Sequence, residues 1–125
     1  MPFEHLRTIP ILRSFDETKA REFYLGFLGF TVDWEHRFEA DLPLYMQVSR
    51  EGVFLHISEH HGDATPGSHV RVDIGGIVRL HDELIAKNYK NGRPGLVRPE
   101  WGGTEFSVVD PAGNRITFAE PDATA

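Results

Sequence analysis

The sequence has no cysteine. That excludes disulfides, thiolate metal sites and a cysteine nucleophile. It also suits the cytoplasm, which is the location expected for the chain. No apolar run approaches the roughly 18 residues that a membrane span requires. The opening stretch MPFEHLRTIPILRSF carries an acid and lacks a continuous apolar centre, so no secretory signal is expected there. There is no run of like charges and no low-complexity segment.

What is present is ordinary in bulk. A length of 125 residues predicts one domain, 1–125, with a real but modest core. Thirteen basic against nineteen acidic residues leave a net charge of −6. Such a surface repels phosphate backbones, which disfavours a nucleic-acid partner. The same charge draws a cationic ligand at long range, or serves solubility alone.

The order of elements is more informative. The run IPIL at 9–12 reads as a strand, with Pro10 suiting an edge or an early position. Asp16 is placed to cap a helix. Ala20, Phe23, Tyr24, Phe27 and Leu28 then follow helical spacing, and Gly29 ends the run. These aromatics, with Phe30, are assigned to the core. Strands are predicted over 30–36, 44–49 and 53–58, the last two joined by a turn at Arg50-Glu51-Gly52. A polar linker, 59–68, follows. The order then repeats: a strand at 69–74, a helix over 77–87, a strand around 95–98, a strand at 104–109, the turn Asp110-Pro111-Ala112-Gly113-Asn114, and a strand at 115–119. The fold class is therefore α+β, two βαβββ units spanning 9–58 and 69–119. The repeat rests on element order and not on residue identity. A curled mixed sheet of four strands leaves edges and a face open, which its twin unit or a second chain must cover.

The stretch SFDETKAREFYLGFLGF resembles the opening signature of the glyoxalase/bleomycin-resistance/dioxygenase (vicinal-oxygen-chelate) superfamily. VDPAGNRITFAEP resembles its closing signature. Together they cover about residues 8 to 121. The resemblance implies paired βαβββ units whose sheets enclose a cleft, completed by dimerisation of two chains. Enzymes of the superfamily hold a metal on those sheets, at four positions that fall here on Ile9, His56, His69 and Thr117. The two histidines are potential ligands; Ile9 is not, and Thr117 replaces a carboxylate. Glu120 is three residues from Thr117 along a strand and so points to the other face. Two ligands are too few for a catalytic metal, and none is expected.

Bleomycin-resistance members have lost the metal positions and bind a large, flat, cationic glycopeptide between aromatic rings. The TIPIL segment and Trp101-Gly102-Gly103 resemble those proteins more than the metalloenzymes. That resemblance implies a ligand-binding set of Trp34, Phe38, His56, His60, His69, Trp101, Gly102 and Gly103. The glycines would let a ligand approach the backbone. The expected function is metal-independent sequestration of a bleomycin-like antibiotic by a homodimer, without cofactor and without catalysis. The alternatives are a metal-dependent lyase, isomerase or thiol transferase of the same superfamily, or a binding protein for an ordinary metabolite. The arm 1–7 either exchanges between subunits or frays.

Overall fold

A computed structural model describes residues 2–90 and 92–123. The first unit comprises β1 (Ile11–Arg13), α1 (Glu17–Arg21), β2 (Thr31–His36), β3 (Tyr45–Arg50) and β4 (Val53–Ser58). The second comprises β5 (His69–Asp73), α2 (Ile77–Ala86), β6 (Thr104–Val109) and β7 (Arg115–Glu120). Among the described residues, no helix is long and apolar enough to cross a membrane.

Local chemistry explains most element boundaries. Asp16 is extended (φ −144°), and its carboxylate accepts from the Lys19 amide at 3.0 Å, which caps α1. The helix then widens into a π-helical segment, Glu22–Phe27, which the apolar spacing did not reveal. Its end is closed by Gly29 at φ +76°, where the Phe30 amide reaches back to the Tyr24 carbonyl. Glu51 and Gly52 both have positive φ, the mirror-image turn that fits the twist of the β3–β4 hairpin.

The first sheet has the order β1-β4-β3-β2. β1 runs parallel to β4, and the other neighbours are antiparallel. The second sheet has the order β5-β7-β6, with β5 parallel to β7. Here the expectation for 95–98 needs correction. No strand forms there, and Val97 makes a single bridge to Glu105 at the edge that β2 occupies in the first sheet. Pro94 and Pro99 bracket the segment, and neither has an amide to donate to a ladder.

One buried cluster runs through both units. It includes Leu12, Phe23, Phe27, Met46, Leu55 and Ile57 from the first, and Leu84, Phe106, Ile116 and Phe118 from the second. Polar contacts cross the same seam. The Tyr24 hydroxyl donates to Asp110 at 2.5 Å, and the Asn114 amide donates to the Arg13 carbonyl at 2.8 Å. Arg50 forms a two-pronged pair with Glu83 of α2 at 2.7 and 2.8 Å. A cavity of about 580 Å³ lies beside that pair, floored by Leu28, Phe30, Val53, Leu80 and Phe118.

Candidate ligand-binding face

Alternation in β3 and β4 sends Met46, Val48, Leu55 and Ile57 to the core. The residues between them, Tyr45, Gln47, Ser49, Phe54 and His56, therefore share the opposite face. A bulge in β2 between Val32 and Trp34 shifts the register so that Trp34 pairs with Gln47 and joins that face. The bulge also brings the Asp33 carboxylate to it. Asp33 accepts from the Gln47 amide at 3.0 Å and from the Ser49 hydroxyl at 2.9 Å.

The result is an aromatic cluster with a polar chain beneath it. Trp34 stacks on Tyr45, with centroids 5.9 Å apart and planes 7° from parallel. The His56 ring stands edge-on to both, 5.2 Å from each. His60 approaches Tyr45 at 6.4 Å. Both His56 nitrogens are engaged: Nδ1 with the Tyr45 hydroxyl at 2.6 Å, and Nε2 with the Gln47 carbonyl oxygen at 3.0 Å. Along the sheet, the Arg7 guanidinium covers the Phe54 ring at 4.3 Å.

The charges of these groups follow from their surroundings. Burial, and secondarily the Arg7 charge, hold His56 below the ordinary imidazole range. Burial and the Asp63 charge raise the Tyr45 phenol. The Ser49 hydroxyl, then the Gln47 amide, lower Asp33. The His56 shift has a measurable consequence. A base whose folded pKa is depressed adds no penalty well above its unfolded value of about 6.5. As pH falls through that value the unfolded chain takes the proton first, and stability declines until the folded pKa is passed. Denaturation at about pH 7.5 and about pH 5.5 is expected to show a larger decline in the native protein than in His56→Asn. Equal declines would mean that His56 carries no such linkage.

The second sheet presents a different face. Phe106, Val108, Ile116 and Phe118 turn inward. The face opposite holds His69, Arg71, Glu105, Ser107 and Thr117. His69 Nε2 meets the Thr117 hydroxyl at 2.7 Å, and Thr117 meets the Ser107 hydroxyl at 2.7 Å. Arg71 pairs with Glu105 at 3.1 Å.

Strand pairing also fixes which residues of the two units correspond. Ile11 pairs with His56, and Arg71 pairs with Thr117. The Ser14 amide bonds the Ser58 carbonyl as the Ile74 amide bonds that of Ala119. So His56 and Thr117 hold equivalent central positions, and Ile9 is equivalent to His69. These four are the positions at which the sequence resemblance implied metal ligands. Here the donor set does not fit a metal. Ile9 has no donor, both His56 nitrogens are occupied, and Thr117 offers only a neutral hydroxyl already shared with His69 and Ser107. Among the described residues, no three His, Asp or Glu side chains gather as a metal site. Glu120, three residues on from Thr117, caps the Ile77 amide of α2.

Of the sequence-predicted set, the structure brings Trp34 and His56 together, and His60 approaches their neighbour Tyr45. Phe38 lies farther along, 75% exposed and edge-on to His36 at 4.9 Å. His69 lies on the second sheet, and no hydrogen bond or ring contact joins it to His56 among the described residues. Trp101 is 76% exposed. Its loop is pinned: the Gly102 amide bonds the Pro99 carbonyl, and the Gly103 amide bonds Asp122, which also pairs with Arg98. The space beside the glycines is taken by the chain itself. A Cβ on Gly102 would lie 2.7 Å from Asp122 Oδ2, and one on Gly103 would lie 3.0 Å from the Glu120 carbonyl. With φ of +96° and +78°, they serve loop shape. Tyr45, Gln47 and Asp33 were not singled out from sequence. The alternation of Tyr45, Gln47 and Ser49 against Met46 and Val48 was the available signal.

Two units, each a mixed sheet with its own helix and sharing one buried cluster, define a paired-unit α+β class. A family model described as glyoxalase superfamily protein matches residues 2–124. The chain belongs to that superfamily. Its fold is similar to that of a bleomycin-binding protein from the bleomycin producer Streptomyces verticillus, complexed with copper(II)-bleomycin. That match has a TM-score of 0.71 and 26% identity, and covers 96% of this chain and 99% of that one. It is also similar to a bleomycin resistance determinant encoded on the transposon Tn5, with TM-score 0.73, 20% identity, and coverage of 94% and 99%. A glyoxalase/bleomycin resistance protein/dioxygenase from Alicyclobacillus acidocaldarius aligns with TM-score 0.72 at 16% identity, over 99% and 97% of the two chains. Comparison with curated protein sequences gives no match.

Proposed function

We propose that the chain is a metal-independent binding protein that sequesters a flat, cationic, bleomycin-like antibiotic. The observation that carries this reading is the Trp34–Tyr45–His56 cluster, whose imidazole nitrogens are both spent inside the protein. Such a face offers ring surface and no coordination chemistry. Offset stacking contributes about 0.5–1.5 kcal/mol beyond burial, and a cation gains further from the rings and from the net negative charge of the chain. The likeness to bleomycin-binding structures supports the choice of ligand. The lyase, isomerase and transferase alternatives need a metal that the donor set does not fit.

The active form in this proposal is a homodimer. An open sheet with exposed rings leaves a ligand covered on one side only, whereas small-molecule sites bury most of the ligand surface. The second copy would supply the opposing wall, with Phe38 and Trp101 as exposed rings available to it or to the ligand. Titration of protein fluorescence with metal-free bleomycin tests the reading. Saturable quenching at micromolar ligand is expected, together with a dimer in sedimentation. Absence of quenching, or a stable monomer that binds as well, would count against it.

A further inference from the structure

The hydrogen-bond chain on the first sheet has only one consistent polarity. Asp33 is a carboxylate and only accepts, so it takes the Gln47 NH₂ group. The Gln47 carbonyl oxygen is then left facing His56 Nε2. An oxygen acceptor there requires an N–H on Nε2. For a neutral imidazole, Nδ1 is then the acceptor and the Tyr45 hydroxyl donates to it. We infer that Asp33 and Gln47 are positioning residues that hold the neutral His56 ring in its Nε2-protonated tautomer, and that this ring, the stacked Trp34 and Tyr45 and the Asp33 carboxylate beside them make the face selective for flat cations over flat anions. The selectivity rests on the reading of the face as the ligand floor; the tautomer does not.

The surrounding groups agree with this assignment. Ile11 of β1 is apolar and pairs beside His56. Asp33 comes from β2, and Tyr45 and Gln47 come from β3. Burial first, and then Arg7 from the arm, disfavour a charged imidazole. Burial first, and then the Asp63 charge from the linker, raise the Tyr45 phenol, which stays protonated and able to donate. Gln47 is buried, and water does not compete freely for its amide. If His56 gained a proton, Nδ1 would become a donor. Tyr45 would have to rotate its hydroxyl proton away, and a positive charge would stand against the stacked rings. The polarity of one buried amide thus sets which nitrogen of the neutral imidazole carries the proton.

Long-range ¹H–¹⁵N correlation of the histidine rings, with His56 assigned by its loss in His56→Asn, tests the tautomer without any ligand. At about pH 7.5 the native protein is expected to show His56 protonated on Nε2 alone. Asp33→Asn frees the Gln47 amide to turn, since asparagine both donates and accepts, and is expected to give a mixture of tautomers. Gln47→Met, which keeps the buried volume, is expected to do the same. Nδ1–H or imidazolium as the main native form would overturn the inference, as would tautomers unchanged in both variants. Binding of N-methylacridinium and of acridine carboxylate, followed by Trp quenching, tests the selectivity. The cation is expected to bind at least about tenfold tighter at about pH 7.5, a difference of about 1.4 kcal/mol, with the ratio shrinking as His56 protonates. Equal binding with the tautomer confirmed would overturn the selectivity. Binding of neither probe would overturn the reading of this face as the ligand floor and leave the tautomer result standing.

Discussion

Asp110→Ala is expected to cost about 3 kcal/mol or more of folding stability, a fall in melting temperature of roughly 10 °C or more. The cost comes from how many donors converge on one buried carboxylate. Asp110 Oδ1 accepts from the amides of Ala112 and Asn114 at 2.9 and 2.8 Å. Oδ2 accepts from the Asn114 side chain at 2.9 Å and from the Tyr24 hydroxyl at 2.5 Å. Tyr24 and Asn114 are fully buried. Truncation leaves their donors without an acceptor in a place water does not reach, and an unsatisfied buried donor costs about 1–3 kcal/mol. The Tyr24 phenol is raised well above its usual range, by burial first and then by the Asp110 charge, so it stays a donor. Because Asn114 also holds the Arg13 carbonyl, the loss spreads across the seam between the units. Thermal denaturation of Asp110→Ala beside Tyr24→Phe is the check. Tyr24→Phe removes one donor of four and should cost less. A change under about 1 kcal/mol for Asp110→Ala would mean that the network is dispensable.

The second large effect concerns the ligand. Trp34→Ala is expected to weaken binding of a bleomycin-like ligand by roughly 30-fold, about 2 kcal/mol, the scale of an aromatic hot spot. Trp34 is 43% exposed and outside the core cluster, and its stacking on Tyr45 presets the ring before any ligand arrives. A preset ring loses little entropy on binding. For the same reason the substitution should change folding stability by only about 1 kcal/mol. Trp101→Ala is expected to follow the same pattern, since its loop is fixed by Asp122 rather than by the indole. Calorimetric titration of each variant separates the effects. Unchanged affinity in both would move the ligand site elsewhere, with the seam cavity near Arg50 and Glu83 as the place to look.

Much of the fold was legible in the sequence because it rests on local chemistry. The cap at Asp16, the stripe from Ala20 to Leu28, the stop at Gly29 and the hairpin at Glu51-Gly52 each depend on a few neighbouring residues. The π-helical widening of the first helix was not legible, since apolar spacing specifies a buried stripe and not which carbonyl each amide chooses. The strand expected over 95–98 failed because its flanking prolines withhold amides from a ladder, a cost that apolar content alone does not register. At the site, resemblance pointed to eight residues, of which Trp34 and His56 meet and His60 approaches Tyr45, while Phe38, His69 and the Trp101-Gly102-Gly103 loop lie apart from them. It did not point to Tyr45, Gln47 or Asp33. Those residues matter through cross-strand pairing and a bulge, and a one-residue slip reverses every facing along a strand. The bond between Tyr24 and Asp110, 86 residues apart, is likewise a product of packing the two units.

The aromatic face is expected to bind its ligand without a metal. Calorimetric titration of metal-free bleomycin into protein stripped with a chelator, with the chelator kept in the buffer, tests it most directly. One ligand bound per chain at micromolar affinity or tighter, unchanged when Zn²⁺, Ni²⁺ or Mn²⁺ is restored, is the predicted result. Binding that appears only with one of those ions, and is lost in His56→Asn or His69→Asn, would contradict it.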